Sequence, residues 1–180
     1  METTAGSVTS SCKLHPWKRI VLVLFTLIVC VSCDQKTKAL ASHELQSGAT
    51  KSFLHDTVRM VYTENPGGFL GLGSSLPTRS RAAILVVGCS AGTIALCLYL
   101  LFASRSARFE IFALALACAG GVGNLIDRWA YGHVRDFLNI GIGPLRTGIF
   151  NGADVALMCG CFLFLWVHWS ERRARPSPRN

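Results

Sequence analysis

The sequence predicts an all-α membrane protein of four transmembrane helices, with a small extended, β-like element outside the membrane. Three observations lead to this fold class. Hydrophobic residues make up 51% of the 180 residues and charged residues only 16%, against roughly 25% charged residues in a typical soluble protein. The apolar residues are concentrated in four long runs, and most polar residues lie in two segments between those runs.

Each apolar run is long enough to cross a bilayer. A spanning helix needs about 20 predominantly apolar residues, and a soluble domain of this length could not bury four such helices. Acids are rare in the runs: Glu110 lies at the edge of the third and Asp154 lies inside the fourth. We therefore predict membrane spans over residues 17–33, 82–103, 109–126 and 149–169.

The basic residues indicate how the spans are oriented. Formal net charge is +8, from 18 Lys and Arg against 10 Asp and Glu. The basic residues come in short groups between apolar runs, which argues against nucleic-acid binding, and the high hydrophobicity excludes intrinsic disorder. The basic residues are densest around the start of the first span (Lys13, Lys18 and Arg19), in the loop before residue 109 (Arg105 and Arg108) and in tail 170–180 (Arg172, Arg173, Arg175 and Arg179). Cytoplasmic loops carry an excess of Lys and Arg, so we expect both termini in the cytoplasm and segments 34–81 and 127–148 on the outer side.

The first outer segment contains a strand signal followed by a turn signal. Residues 57–63 are rich in β-branched and aromatic types, and Asn65-Pro66-Gly67-Gly68 follows them. Strand formers bounded by Asn, Pro and Gly predict a short extended structure. We expect this element to lie on the membrane surface.

Seven of the eight cysteines lie in the apolar runs. Cys30 and Cys33 have the spacing of a metal or redox pair, but no second pair or histidine cluster completes it. A buried cysteine behaves as a small apolar residue. We therefore expect the cysteines to pack between helices and predict no metal site.

Four acids lie at the outer ends of the spans or beside them. Asp34 follows the first span, Asp127 ends the third, Asp136 lies in the next loop, and Asp154 lies near the start of the fourth. Ionisable side chains inside a membrane are costly and mark functional sites by default. With four spans and cytoplasmic termini, the topology brings all four acids to the outer face.

An Asn-x-x-Asp pattern occurs twice, as Asn124 with Asp127 and as Asn151 with Asp154. Residues three apart share a helix face, so we expect each amide to donate a hydrogen bond to its own acid. Glycines at 120, 121 and 123 would let another helix approach closely. Arg128 beside Asp127 offers that acid an ion pair.

Asp136 and Asp154 are the acids left in apolar, poorly neutralised surroundings. Two carboxyl groups brought together in a low-dielectric site share a proton. One can then act as general base on water while the other protonates a substrate carbonyl, as in an aspartic peptidase. Two alternatives stay open on these residues: a small ion-coupled transporter that uses the acids as a relay, and a non-catalytic assembly factor in which they join helices.

Five short motifs follow one another between residues 34 and 154: Asp34-Gln35-Lys36-Thr37-Lys38, Asn65-Pro66-Gly67-Gly68-Phe69-Leu70, Gly120-Gly121-Val122-Gly123-Asn124-Leu125-Ile126-Asp127-Arg128, Val134-Arg135-Asp136-Phe137 and Phe150-Asn151-Gly152-Ala153-Asp154. On a frame of four spans, they closely resemble the lipoprotein signal peptidase family (signal peptidase II) of bacteria. The family's versions are Asp-Gln-x-Thr-Lys, Asn-x-Gly-Ala-Ala-Phe, Gly-Gly-x-x-Asn-x-x-Asp-Arg, Val-Val-Asp-Phe and Phe-Asn-x-Ala-Asp.

The resemblance implies an aspartic endopeptidase over residues 17–169, with Asp136 and Asp154 as the catalytic pair. It implies no metal or organic cofactor. The implied substrates are prolipoproteins whose lipobox cysteine already carries diacylglycerol, cleaved just before that cysteine. The implied supporting or substrate-binding residues are Asp34, Lys38, Asn65, Gly67, Asn124, Asp127, Arg128 and Asn151.

The same resemblance implies a location and partners. We expect a multi-pass protein of the bacterial inner membrane, with its active site at the periplasmic side. Its partners are the lipid-modified precursors and membrane lipids, without nucleic acid, and we expect a monomer. Region 40–81 would cover the substrate.

Two positions depart from the family's motifs. Arg135 replaces an apolar residue beside Asp136, and a guanidinium that reached Asp136 would lower the pKa of its carboxyl group. Neighbouring strand residues point to opposite faces, so we expect Arg135 to face away from Asp136. Phe69 arrives one residue earlier than the family's aromatic, and no role is carried over to it.

Overall fold

The computed structural model describes residues 14–45, 48–67, 77–102 and 108–174. Phe69, most of segment 1–16 and the end of the basic tail lie outside these ranges. The elements in chain order are α1 (Pro16–Leu45), β1 (Thr50–Phe53), β2 (Val58–Asn65), α2 (Thr78–Phe102), α3 (Arg108–Tyr131), β3 (Val134–Ile142), β4 (Leu145–Arg146) and α4 (Gly152–Ala174). The four helices are long and apolar enough to cross a membrane. Together with a small antiparallel sheet, they confirm the predicted fold class.

Helix α3 is the central helix and packs against α1, α2 and α4. Its buried face consists mainly of small residues, which allow close approach between membrane helices. A Cβ atom added at Gly120 would lie 2.3 Å from the carbonyl oxygen of Ala153 on α4, and one added at Gly160 would lie 2.5 Å from the amide nitrogen of Ala117. The contact between α3 and α4 therefore depends on glycine on both helices.

Helix α1 continues beyond the predicted span, which ended at residue 33. Its 30 residues extend over roughly 45 Å, whereas the hydrocarbon core of a bilayer is about 30 Å thick. The stretch after Cys33 loses hydrophobicity but contains no Gly or Pro before Leu45, so nothing in it terminates the helix. Ala41 and Leu45 pack against Phe137 of β3 and so support the sheet.

The sheet has four antiparallel strands in the order β1-β2-β3-β4. The predicted strand signal lies in β2, which pairs Thr63 with Asp136 and Asn65 with Val134. The end of β2 is therefore held beside Asp136.

The chain returns from the sheet directly to α4. Phe150 forms a bridge with Leu138, in which the amide of Leu138 donates to the Phe150 carbonyl at 2.8 Å. Residues 149–151, predicted as the start of the fourth span, are therefore not helical. The bridge places the first turn of α4, and Asp154 with it, next to β3.

Candidate active site

The structure brings the four acids together at one end of the helix bundle. Asp34 lies on α1, Asp127 on α3, Asp136 on β3 and Asp154 in the first turn of α4. The exposed fraction of these residues is between 0% and 8%. They belong to four different elements, so only the tertiary fold makes them neighbours.

Lys38 lies at the centre of this group and is completely buried. Its Nζ lies 2.8 Å from Asp34 Oδ2 and 3.4 Å from Asp127 Oδ2. It also donates to Asn124 Oδ1 at 3.0 Å. The three N–H groups of the ammonium thus have three oxygen partners, and the side chain joins α1 to α3.

Asp127 is paired with Arg135 and Lys38, and the predicted ion pair with Arg128 is wrong. Arg135 Nη2 donates to Asp127 Oδ1 at 2.8 Å, and Arg135 Nε donates to Oδ2 at 3.3 Å. Successive helix residues point about 100° apart, so Arg128 faces away from its neighbour. Its guanidinium donates to the carbonyl oxygen of Gly67 at 3.2 Å. The prediction that Arg135 faces away from Asp136 is confirmed.

The charges balance in the part of the site around Lys38. Asp34 and Asp127 contribute two negative charges, and Lys38 and Arg135 contribute two positive charges, all in buried positions. Within the described residues, neither Asp136 nor Asp154 forms an ion pair. These two carboxyl groups are held by hydrogen bonds from neutral amides.

Asn151 caps α4 and also connects the two carboxyl groups. Its Oδ1 accepts the backbone N–H of Asp154 at 3.0 Å, and Asp154 Oδ2 accepts the backbone N–H of Asn151 at 3.3 Å. This reciprocal pair is a capping box, with Asp154 at its third helical position. The Asn151 side-chain amide donates to Asp136 Oδ1 at 2.6 Å, so one asparagine contacts both acids.

Asn124 supports Asp154 from the neighbouring helix. Its Nδ2 donates to Asp154 Oδ1 at 2.8 Å, while its Oδ1 accepts from Lys38 at 3.0 Å and from Asn151 at 3.1 Å. The prediction that each side-chain amide donates to the acid three residues later is wrong for Asn124 and Asn151. Asn124 donates to Asp154 on α4, because α3 and α4 are in close contact. Asn151 donates to Asp136 on β3, because the bridge between Phe150 and Leu138 places Asn151 beside that strand.

Asn65 completes the surroundings of Asp136. Its Nδ2 donates to Asp136 Oδ2 at 2.8 Å, and its Oδ1 accepts the backbone N–H of Gly67 at 2.9 Å. Burial raises the pKa of Asp136 to about 6, and the Asp154 charge adds to this rise, whereas the Asn65 and Asn151 hydrogen bonds oppose it. Burial and a like charge both disfavour the ionised form of a carboxyl group.

The sequence model of the signal peptidase (SPase) II family matches residues 11–170. The chain belongs to the signal peptidase II family. A lipoprotein signal peptidase of a Sulfurihydrogenibium species is 31% identical over 160 residues, which cover 87% of this chain and 97% of the relative. One from a Janthinobacterium species is 34% identical over 161 residues, 88% of this chain and 90% of the relative.

Solved structures agree with the fold. A bacterial membrane enzyme determined by the in meso method at 2.3 Å resolution superposes with a TM-score of 0.72 at 23% identity, and the match covers 93% of this chain and 96% of that one. At this identity the likeness shows the fold alone. A second bacterial membrane enzyme gives a TM-score of 0.68 at 25% identity, covering 87% and 95% of the two chains.

Two contributors to this candidate site were not singled out from the sequence. Gln35 Nε2 donates to Asp127 Oδ1 at 3.1 Å and to the Gly123 carbonyl at 3.0 Å. The backbone N–H of Ala153 donates to Asp34 Oδ1 at 2.8 Å. Gln35 stands in the motif beside Asp34 and could have been assigned a role, but a backbone donor leaves no signal in the sequence.

No group of three or more His, Cys, Asp or Glu residues suited to hold a metal ion occurs in the described ranges. Cys97 and Cys118 contact one another across α2 and α3, with their sulfur atoms 2.9 Å apart. The side chains gathered in the site are carboxyl groups, amides and three cations, those of Lys38, Arg128 and Arg135.

Removing the Lys38 charge should destabilise the protein. In Lys38→Met, Asp34 loses its ammonium partner and Asp127 keeps only Arg135. Breaking a buried ion pair from one side costs about 3–5 kcal/mol. We expect a large fall in the thermal unfolding midpoint and in the yield of folded protein in detergent.

Lys36→Met is the matched control, because Lys36 lies two residues earlier on the same helix with an exposed side chain. It should behave as the wild type does. Equal stability of the two variants would contradict the structural role of Lys38.

Proposed function

We propose that this protein is a membrane aspartic endopeptidase that removes signal peptides from diacylglyceryl-modified prolipoproteins, cleaving just before the lipidated cysteine. Membership of the signal peptidase II family and relatives named lipoprotein signal peptidase support this activity. The alternative of an ion-coupled transporter has no support from either. The geometry of the site supports the aspartic mechanism and the roles of the site residues, and the resemblance of the five motifs supports the lipid group on the substrate.

The observation that carries the proposal is the arrangement of Asp136 and Asp154. Both carboxyl groups are buried, and both accept hydrogen bonds from Asn151, Asp136 from its side-chain amide and Asp154 from its backbone N–H. Neither has a cation paired with it among the described residues. Two acids in such a site share a proton, which is the protonation state that an aspartic peptidase needs.

The reaction that we propose uses only the two acids and water. The ionised carboxylate takes a proton from a water molecule, whose oxygen attacks the carbonyl carbon of the scissile peptide bond. The protonated carboxyl gives its proton to the carbonyl oxygen, and a tetrahedral intermediate forms. When the carbon–nitrogen bond breaks, the leaving nitrogen takes up a proton from the acid pair and the signal peptide leaves with a new carboxyl group.

The remaining site residues have positioning roles in this proposal. A cluster of buried charges holds α1 against α3 and α4; it consists of Asp34, Lys38 and Asp127. Asn124 and Asn151 orient the acids. Arg128 holds the Gly67 carbonyl, and Asn65 turns the chain over Asp136.

We propose that both termini lie in the cytoplasm and that the acid pair lies at the periplasmic face. The even number of candidate spans and the basic last turn of α4, with Arg172 and Arg173, support this orientation. Residues 17–169 would form the peptidase domain. We also propose that the protein is a monomer, and the mass of the purified protein in detergent tests this.

Reporter fusions test the orientation. A fluorescent protein that matures only in the cytoplasm should fluoresce when it is fused after residue 180. The same protein inserted after Gly48, in the turn between α1 and β1, should stay dark. The reverse pattern would contradict the proposed topology.

Each acid of the pair should be required for cleavage. Asp136→Asn and Asp154→Asn keep the size of the side chain but remove the ionisable group. A general acid or base contributes about 10²–10⁴-fold to a rate, so we expect either variant to lose at least about 100-fold in cleavage of a diacylglyceryl-modified precursor. The measurement is precursor conversion by purified protein.

Glu64→Gln is the control, because Glu64 is an exposed acid on β2, next to Asn65. It should retain the wild-type rate. Both Asn variants must elute as folded protein with a cooperative thermal transition, which separates lost chemistry from lost structure. Wild-type cleavage by either Asn variant would overturn the aspartic mechanism.

The pH profile should report the shared proton. The raised pKa of Asp136, about 6, predicts that cleavage declines as pH rises through that region, because the acid then loses the proton that it must donate. Asn65→Ala removes a hydrogen bond that favours the ionised form. We expect the decline to move to higher pH by up to about one unit.

Asn139→Ala is the control for this shift. Asn139 lies on the same strand as Asp136, and its amide donates to the carbonyl oxygen of Thr147. Its pH profile should match that of the wild type. A decline that moves to lower pH in Asn65→Ala, or does not move, would refute the assigned role of Asn65.

A further inference from the structure

Arg135 differs from the apolar residue that the family's Val-Val-Asp-Phe motif has at this place, and the proposed reaction does not use it. The residue is only 7% exposed. Beyond its two side-chain bonds to Asp127, its backbone N–H donates to Asp127 Oδ2 at 3.0 Å and its Nη2 donates to Gln35 Oε1 at 3.0 Å. Its guanidinium also lies over the Tyr131 ring, 4.4 Å from the centroid. Three residues on α1 and α3, Gln35, Asp127 and Tyr131, therefore hold it in one position.

A continuous set of contacts runs from this guanidinium to Asp154. Arg135 bonds to Asp127 at 2.8 Å, and Asp127 lies 3.4 Å from the Lys38 ammonium. Lys38 donates to Asn124 Oδ1 at 3.0 Å, and Asn124 Nδ2 donates to Asp154 Oδ1 at 2.8 Å. The bond from Lys38 fixes which end of the Asn124 amide faces Asp154.

Arg135 also decides the charge of this set. The four side chains of Asp34, Lys38, Asp127 and Arg135 carry no net charge together. Without Arg135, the other three carry one net negative charge. Asp127 would then have Lys38 as its remaining cation. A stronger pull from Asp127 would draw the ammonium away from Asn124.

We propose that Arg135 is a positioning residue that neutralises Asp127, thereby keeping Lys38 bonded to Asn124 and setting the pH range in which Asp136 and Asp154 hold one proton. The inference rests on the proposed function, since it concerns the same acid pair. Arg135 itself touches neither carboxyl group.

Other charged or titratable groups also surround Arg135 and the acid pair. They come from α1, α3 and β2 and comprise Asp34, Lys38, Tyr62, Glu64, Asp127, Arg128 and Tyr131. Glu64 is the cross-strand partner of Arg135, but it is exposed and lies 3.6 Å from His133 Nε2. The buried partner of the guanidinium is Asp127.

The test is the pH dependence of precursor cleavage in charge variants. In Arg135→Met, the added net negative charge favours the protonated acid pair, so the decline at high pH should move to higher pH by roughly half to one unit. We expect kcat to fall, because the protonation of the acid pair changes. KM should stay unchanged, because the buried Arg135 contacts Asp127 and Gln35 and neither of the two acids. Asp127→Asn makes the opposite change of charge and should move the decline to lower pH.

The double variant Asp127→Asn with Arg135→Met removes one charge of each sign. It should return the decline to the wild-type pH, which a mere loss of packing would not do. Arg135→Lys keeps the charge without the two-point contact and should keep the wild-type profile. If Arg135→Met does not fold, Arg135→Gln replaces it, because it removes the same charge and keeps a polar side chain.

Arg59→Met is the control, since Arg59 pairs with Asp56 on the exposed hairpin. It should leave the profile unchanged. Equal pH profiles for the wild type, Arg135→Met and the double variant, with Asp136→Asn inactive, would overturn the role of Arg135 alone. An active Asp136→Asn would instead overturn the proposed function.

Discussion

The structure depends on one buried cation, the ammonium group of Lys38. An isolated charge in a low-dielectric interior costs several kcal/mol, and a completely buried lysine is stable only when its donors are satisfied. Asp34, Asp127 and Asn124 supply the three oxygen partners. These partners come from α1 and α3, and Asp34 also accepts the backbone N–H of Ala153 at the start of α4. The Lys38 interaction therefore fixes the positions of three helices relative to one another.

Close helix packing makes that interaction possible. A Cβ atom at Gly123 would lie 2.7 Å from Asp34 Oδ2, so a larger residue would push the carboxylate out of its position. The glycine at 120 brings α4 against α3 in the same way. Without hydrophobic driving force between helices in lipid, such contacts and interhelical hydrogen bonds hold a bundle together.

The charges around Lys38 balance one another, and the two acids beside them, Asp136 and Asp154, have no ion pair among the described residues. Lys38 and Arg135 neutralise Asp34 and Asp127. Among the described residues, Asp136 and Asp154 receive only neutral donors, from asparagines. The network thus fixes the position of both carboxyl groups without neutralising them. Burial and mutual proximity then favour the proton-sharing state that the proposed chemistry requires.

The sequence alone determined the four helices and most of the polar residues that gather at one end of the bundle. A membrane helix satisfies its backbone hydrogen bonds within its own segment, so hydropathy along the chain is sufficient to find it. The sequence could not determine that α1 continues to Leu45 or that Asn124 donates to Asp154. Nor could it determine that Asp127 pairs with Arg135 instead of the adjacent Arg128. Those outcomes depend on the direction of side chains and the distance between α3 and α4, and only the packed structure brings the partners within hydrogen-bond range.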